Sequence, residues 1–127
     1  MPNYGVLQAG SNSDESKNLT DLRPGQWMYL FNAETPAEGQ ASVAFNRGPA
    51  PGTEVPSGII FTVFWATTPT AQMDIEGANT DVDSQYIALG SVINQNGYYS
   101  DAGGFAYYRA KQSVYSAGGA VTVIAQR

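Results

Sequence analysis

Ala71-Gln72-Met73-Asp74-Ile75-Glu76 alternates apolar and polar residues without a break. Successive side chains of an extended chain point to opposite faces, so Ala71, Met73 and Ile75 share one face and Gln72, Asp74 and Glu76 the other. That period of two marks a strand with one face in a core and one in water. Downstream the pattern continues. Gln85 to Ile93 reads as a further strand, with Gly90 inside it as a bulge. Asn96-Gly97 is the strongest short hairpin signal in the chain, because a type I′ turn needs positive φ at both positions. Phe105 to Tyr115 is a long strand, and Gly118-Gly119 turns it into Ala120 to Gln126. No proline lies between Thr70 and Arg127, so this half is predicted to run as an uninterrupted antiparallel meander.

Upstream, all seven prolines fall within the first 69 residues and cut the chain into short pieces. Arg23-Pro24-Gly25-Gln26 has the order of a type II turn. It leads into Gln26 to Phe31, an aromatic strand, and a loop follows from Asn32 to Gln40. Ala41 to Phe45 is a short strand, and Asn46 to Ser57 is a proline-rich loop. Ile59-Ile60-Phe61-Thr62-Val63-Phe64-Trp65 is the most apolar segment and is apolar on both faces. A sandwich strand needs one apolar face only, so Ile60 and Phe64 on the second face are expected to meet another subunit or the chain's own N-terminal segment, with another subunit preferred. Residues 1–25 are polar and aperiodic, with Tyr4, Val6, Leu7, Leu19 and Leu22 set among them as anchors for a partner. This arm is expected to be dispensable for folding. No window shows capped apolar spacing at i, i+3, i+4 and i+7, so no helix is predicted. The expected fold is all-β: a single β-sandwich or jelly roll of about seven or eight antiparallel strands over 26–127, preceded by the arm at 1–25.

Composition excludes several functions. The 127 residues contain no cysteine and no histidine. Disulfides and thiolate chemistry are ruled out, together with the commonest metal ligand and general base. Six basic residues face eleven acidic ones, for a net charge of −5, which disfavours nucleic acid as a partner. Charged residues are 13% of the chain against a usual ~25%. Such a surface suits an extracellular or virion protein better than a cytosolic enzyme. No apolar run approaches the ~18 residues of a membrane span, and Met1-Pro2-Asn3-Tyr4 does not read as a signal peptide.

Few residues suggest chemistry. Asn79, Asp81 and Asp83 have the spacing of the first three calcium-loop ligands, but Ser84 stands where the loop needs glycine and Gly90 where it needs a bidentate glutamate. Asp74 and Glu76 share a strand face at a separation that suits a glycosidase pair, yet two carboxylates on a wet strand face ordinarily serve solubility. Serine and threonine lack an activating base. No enzymatic activity, cofactor or metal is expected. The aromatic residues are more informative. Tyr98, Tyr99, Tyr107, Tyr108 and Tyr115 cluster in the last third. With Ala106, Tyr108 and Ala110 facing the core, Tyr107, Arg109 and Lys111 share the wet face. Exposed Tyr and Arg are enriched at interface hot spots and also suit stacking on sugars.

The order of these elements resembles a known family. Ala71–Glu76 leads through Gly77-Ala78-Asn79 to Ala88-Leu89-Gly90-Ser91-Val92. Asn96-Gly97-Tyr98, Phe105-Ala106-Tyr107-Tyr108-Arg109-Ala110, a Gly-Gly turn and Val121-Thr122-Val123 follow. This stretch, residues 71–127, resembles small β-sandwich capsid decoration (cement) proteins of tailed bacteriophages. It is also similar to the closing strands of galactose-binding-like sandwiches. The first resemblance implies a non-enzymatic structural virion protein, made in the host cytoplasm, that binds the outer capsid surface. Its partner would be the major capsid protein, and it would act as a symmetric homo-oligomer, often a trimer, bridging neighbouring shell subunits. The alternative is a carbohydrate-binding or host-recognition module using Tyr98, Tyr99, Tyr107 and Arg109.

Overall fold

The alternating stretch at 71–76 is the middle of a nine-residue strand that lies inside one of two packed sheets. The computed structural model describes Leu22, residues 25–47 and residues 58–127. Tyr4, Val6, Leu7 and Leu19, most of the arm, and the proline-rich loop over 48–57 lie outside the described residues.

Nine strands are present among them: β1 (Trp27–Glu34), β2 (Gln40–Ala41), β3 (Phe45–Asn46), β4 (Ile59–Trp65), β5 (Thr70–Ala78), β6 (Ile87–Ile93), β7 (Gly97–Asp101), β8 (Tyr107–Ala117) and β9 (Val121–Gln126). One 3₁₀ turn, Asp83–Gln85, precedes β6. The first sheet has the order β1-β9-β4-β7 and the second β2-β8-β5-β6, with β3 also paired to β8. β2 and β3 act as one interrupted strand. Between them the Ser42 N–H donates to the Ala110 carbonyl at 2.7 Å, and the Ala110 N–H donates to the Ser42 hydroxyl at 3.0 Å. Counting β2 and β3 once gives eight antiparallel strands in two four-stranded sheets, with the chain passing back and forth between them. This is the jelly roll, a double Greek key.

The predicted meander over 70–127 is not formed. Only β5 and β6 pair as sequence neighbours; β6 to β7, β7 to β8 and β8 to β9 each cross between sheets. Asn96-Gly97 therefore does not close a hairpin, and neither residue has positive φ. Asn94 does, at 54°. The reason lies in two carboxamides. Asn94 Oδ1 accepts the Ala71 N–H at 3.0 Å. Asn96 Oδ1 accepts the Trp65 N–H at 2.7 Å, and its Nδ2 donates to the Trp65 carbonyl. The connection thus ties the end of β4 to the start of β5 instead of folding back on itself. At the other crossing, Gly118 and Gly119 take φ of 144° and 70°, conformations open to glycine.

The core fills the space between the sheets. β4 contributes Ile59, Phe61, Val63 and Trp65, β5 Ala71, Met73 and Ile75, β8 Tyr108 and Ala110, and β9 Val121, Val123 and Ala125. Phe45, Phe61 and Tyr108 pack as a group with ring centroids 5.7–6.1 Å apart, Phe45 and Tyr108 stacked and Phe61 tilted against both. Two polar groups are buried with partners, as burial requires. Trp65 Nε1 donates to Gln112 Oε1 and Gln112 Nε2 to the Pro36 carbonyl, both at 2.9 Å. Leu22 is fully buried in this core. Its N–H donates to the Asn46 carbonyl at 2.8 Å, and its carbonyl accepts from Arg127 Nη1 at 2.9 Å. The sequence places Leu22 among the partner-binding anchors of the arm. It is instead a core residue, because one leucine beside the open end of β3 and β9 gains more by filling the sandwich than by meeting water.

Candidate functional site

Directly opposed residues of antiparallel strands share a face, so the strand registers define each outer surface. In the first sheet Trp27 and Ile60 oppose Gln126, and Tyr29 and Thr62 oppose Ile124. Phe64 opposes Thr122, Tyr98 opposes Thr62 and Ser100 opposes Ile60. These ten side chains form the outer face of that sheet, and none is ionisable to a charge near neutral pH. Trp27 and Tyr29 meet edge to face at 5.3 Å. Exposure is uneven across the face. Ile60, Thr62, Phe64 and Tyr98 on β4 and β7 stand exposed, with Phe64 at 57% and Tyr98 at 71%. Trp27, Tyr29, Thr122 and Ile124 on β1 and β9 are half-buried.

The outer face of the second sheet has the opposite character. It carries Gln72, Asp74 and Glu76 on β5, Ser91 on β6, and Arg109 and Lys111 on β8. Glu76 Oε1 accepts from Arg109 Nε at 2.7 Å, and Asp83 Oδ1 from Arg109 Nη1 at 2.7 Å. The Arg109 guanidinium lies 4.0 Å from the centre of the Tyr86 ring. Burial disfavours the Arg109 charge, but the bonds to Glu76 and Asp83 outweigh it and raise its pKa above the ordinary arginine value. Burial and then the bond to Asp81 raise the pKa of the Tyr86 phenol. Asp74 accepts from Ser91 Oγ at 2.6 Å and from Gln72 Nε2 at 2.8 Å. The two carboxylates singled out for acid–base work are thus held by their neighbours. Asp81 and Asp83, read as calcium-type spacing, face Tyr86 and Arg109. Among the described residues no acidic cluster has the arrangement of a metal site.

A third polar group closes one end of the sandwich. Asp101 accepts from the Tyr108 hydroxyl at 2.6 Å, the Tyr99 hydroxyl at 3.1 Å and the Gly103 N–H at 2.9 Å. The Tyr108 hydroxyl in turn accepts the Phe105 N–H at 3.1 Å. Burial, and then the bond to Asp101, raises the pKa of both phenols. This group fixes the 101–105 loop.

The aromatic candidates therefore fall on three separate surfaces. Tyr98 is on the uncharged outer face. Tyr99 turns inward, its ring stacked beside Phe61 and over Gly90. Tyr107 and Arg109 lie on the charged sheet on the far side. Four residues so placed do not make one sugar-binding platform. The alternation at 97–101 separates Tyr98 from Tyr99, and the crossing from β7 to β8 carries Tyr107 and Arg109 to the other sheet. Ile60 and Phe64 do share one surface with Tyr98. Trp27, Tyr29 and Ile124 also belong to it and were not singled out in the sequence. Their signal is the one seen at 59–65: 27–31 is apolar in both phases of the strand period, and 121–125 carries Ile124 beside Thr122 in its second phase. The chain matches no family model, no curated protein and no solved structure.

Proposed function

We propose that this protein is a non-catalytic structural subunit of a virion that binds the outer capsid surface and bridges neighbouring shell subunits. One observation carries the reading: a whole sheet face, from Trp27 on β1 to Tyr98 on β7, bears aromatic, aliphatic and hydroxyl side chains with one carboxamide, Gln126, and no charge. Depletion of charge with enrichment in Tyr, Trp and Phe is the composition of the centre of a protein–protein interface. An uncharged face of this breadth on a surface otherwise carrying a net −5 supports a protein partner there. The jelly roll adds a fold-level analogy, since it recurs in capsid and lectin domains. Cryo-electron microscopy of particles purified from the source of the sequence tests the proposal. Density for this sandwich at junctions on the outer shell is the expected result. Intact particles lacking the chain would overturn it.

Tyr98 and Phe64 support a second reading, carbohydrate binding, because both rings stand out from neighbouring strands. A glycan array separates the two: saturable binding lost in Tyr98→Ala supports the sugar module, and a blank array favours assembly.

A further inference from the structure

We propose that the uncharged outer face of the β1-β9-β4-β7 sheet pairs with the same face of a second copy of this chain, about a two-fold axis running along the strands. The inference rests on the assembly reading above and names the neighbour at that face. Two features support it, and a third sets its strength.

The first is the distribution of exposure. The exposed side chains Ile60, Phe64 and Tyr98 lie in the β4–β7 half, and the half-buried Trp27, Tyr29 and Ile124 in the β1–β9 half. A two-fold axis along the strands, between β9 and β4, lays the exposed half of one copy on the half-buried half of the other, twice over. A two-fold axis across the strands would set exposed half on exposed half. An isologous contact needs one self-complementary patch, whereas a ring of three needs two different patches that fit each other. The described surface offers one uncharged face, so the geometry points to a dimer and not the trimer that the family resemblance implies.

The second is charge. Two copies carry −5 each, and repulsion opposes most ways of joining them. Joined by the uncharged faces they form four sheet layers, with the charged Glu76–Arg109 faces outermost and roughly 30 Å apart at ~10 Å per layer spacing. That exceeds the ~8 Å Debye length at physiological salt, so those faces are screened from one another.

The third is area. Four strands at ~4.8 Å spacing and about six residues at ~3.3 Å give a footprint of roughly 400 Å² on each copy. A standard stable interface uses ~800 Å² per partner. The pairing therefore belongs to the weak, reversible class, formed at micromolar concentration and strengthened when copies are held side by side on a shell.

Sedimentation velocity of the full chain from about 1 to 500 μM tests this, with thermal melting run alongside to confirm folding. The wild type is expected to pass from monomer to dimer across that range. Phe64→Glu and, independently, Tyr98→Glu enter each dimer twice and should weaken it about 100-fold or more, with the monomer melting as before. Val114→Glu, an exposed position on the other sheet, should leave association unchanged. A wild type that stays monomeric throughout overturns the pairing, as does a dimer that survives both face variants or is lost with Val114→Glu. If the wild type is monomeric but its binding to purified particles is abolished by Phe64→Glu, the assembly reading stands and the second copy is the wrong neighbour. If particle binding is also untouched, both readings fail.

Discussion

Arg109 illustrates what one residue's period reveals and conceals. Alternation over 106–111 places it on an outer face, and it is there. Its partners are 33 and 26 residues away in sequence, Glu76 across the sheet and Asp83 in the 3₁₀ turn, and no local pattern announces them. What looked like a free interface arginine is 11% exposed and paired with a Glu76 side chain that is 9% exposed. Removing it strands a nearly buried carboxylate, so Arg109→Met should lower stability by about 3 kcal/mol in urea denaturation. Asp83 is 90% exposed, and Asp83→Ala should cost less than about 1 kcal/mol. Equal costs would mean the pair is not desolvated as described. Tyr108 gives a pH-dependent prediction. Its folded pKa is raised above the ordinary ~10 of an unfolded tyrosine, first by burial and then by its bond to Asp101. Up to about pH 10 both states hold the proton and the stabilisation is intact. Above it the unfolded chain releases the proton first, so stability falls as pH rises towards the folded pKa. Tyr108→Phe should cost about 1–2 kcal/mol at neutral pH and give a shallower decline between pH 9 and 11. A decline as steep as that of the wild type would show that other groups set the alkaline limit.

At the scale of elements, strand existence was legible and strand pairing was not. Residues 71–76, 87–93 and 107–115 advertise themselves by period and composition, because each strand writes its own face. Which strand lies beside which depends on connections, and here local turn chemistry misleads. Asn96-Gly97 looks like a hairpin, yet Asn96 spends its carboxamide on Trp65, whose backbone would otherwise lie unpaired where β4 ends. Asn96→Ala should therefore destabilise by about 1–2 kcal/mol, whereas an asparagine serving only a solvent-exposed turn would cost less. A bulge lies in this strand, one residue before the expected Gly90: Ile75 opposes Gly90 and Glu76 opposes Ala88, skipping Leu89. The sequence alone did not say why glycine stands there. A Cβ on Gly90 would come within 2.4 Å of the Tyr99 ring, which closes the corner between the two sheets. Gly90→Ala must push that ring aside and is expected to destabilise by about 1–3 kcal/mol. In a Tyr99→Ala background the same change should be nearly neutral. A double-mutant cycle reads the coupling directly, and additivity of the two changes would show that the ring does not occupy that space.

For the whole molecule the informative feature is the contrast between its two outer faces. One is stitched with Glu76, Arg109, Asp74 and Lys111; the other carries no charge. The doubly apolar strand at 59–65 pointed towards this, but a single strand does not show whether its second phase is covered from within. In the described structure Phe64 and Ile60 are exposed, while Leu22, which looked like part of a free arm, is fully buried. Leu22 therefore takes a core role that its surroundings in sequence do not suggest, while Phe64 stays on the surface where the second phase of its strand placed it. Leu22→Ala removes a core side chain from between β3 and the end of β9. It should cost about 2–5 kcal/mol and lower the melting temperature by roughly 10 °C. Phe64→Ser removes a larger ring from a surface that the monomer does not need covered. It should change monomer stability by no more than about 0.5 kcal/mol. A sharply lowered melting temperature for Phe64→Ser at low micromolar concentration would show that the second face is covered by the chain itself. A stable monomer that no longer associates would place the ring's contribution between molecules, where an uncharged sheet face on an acidic protein has its physical reason to exist.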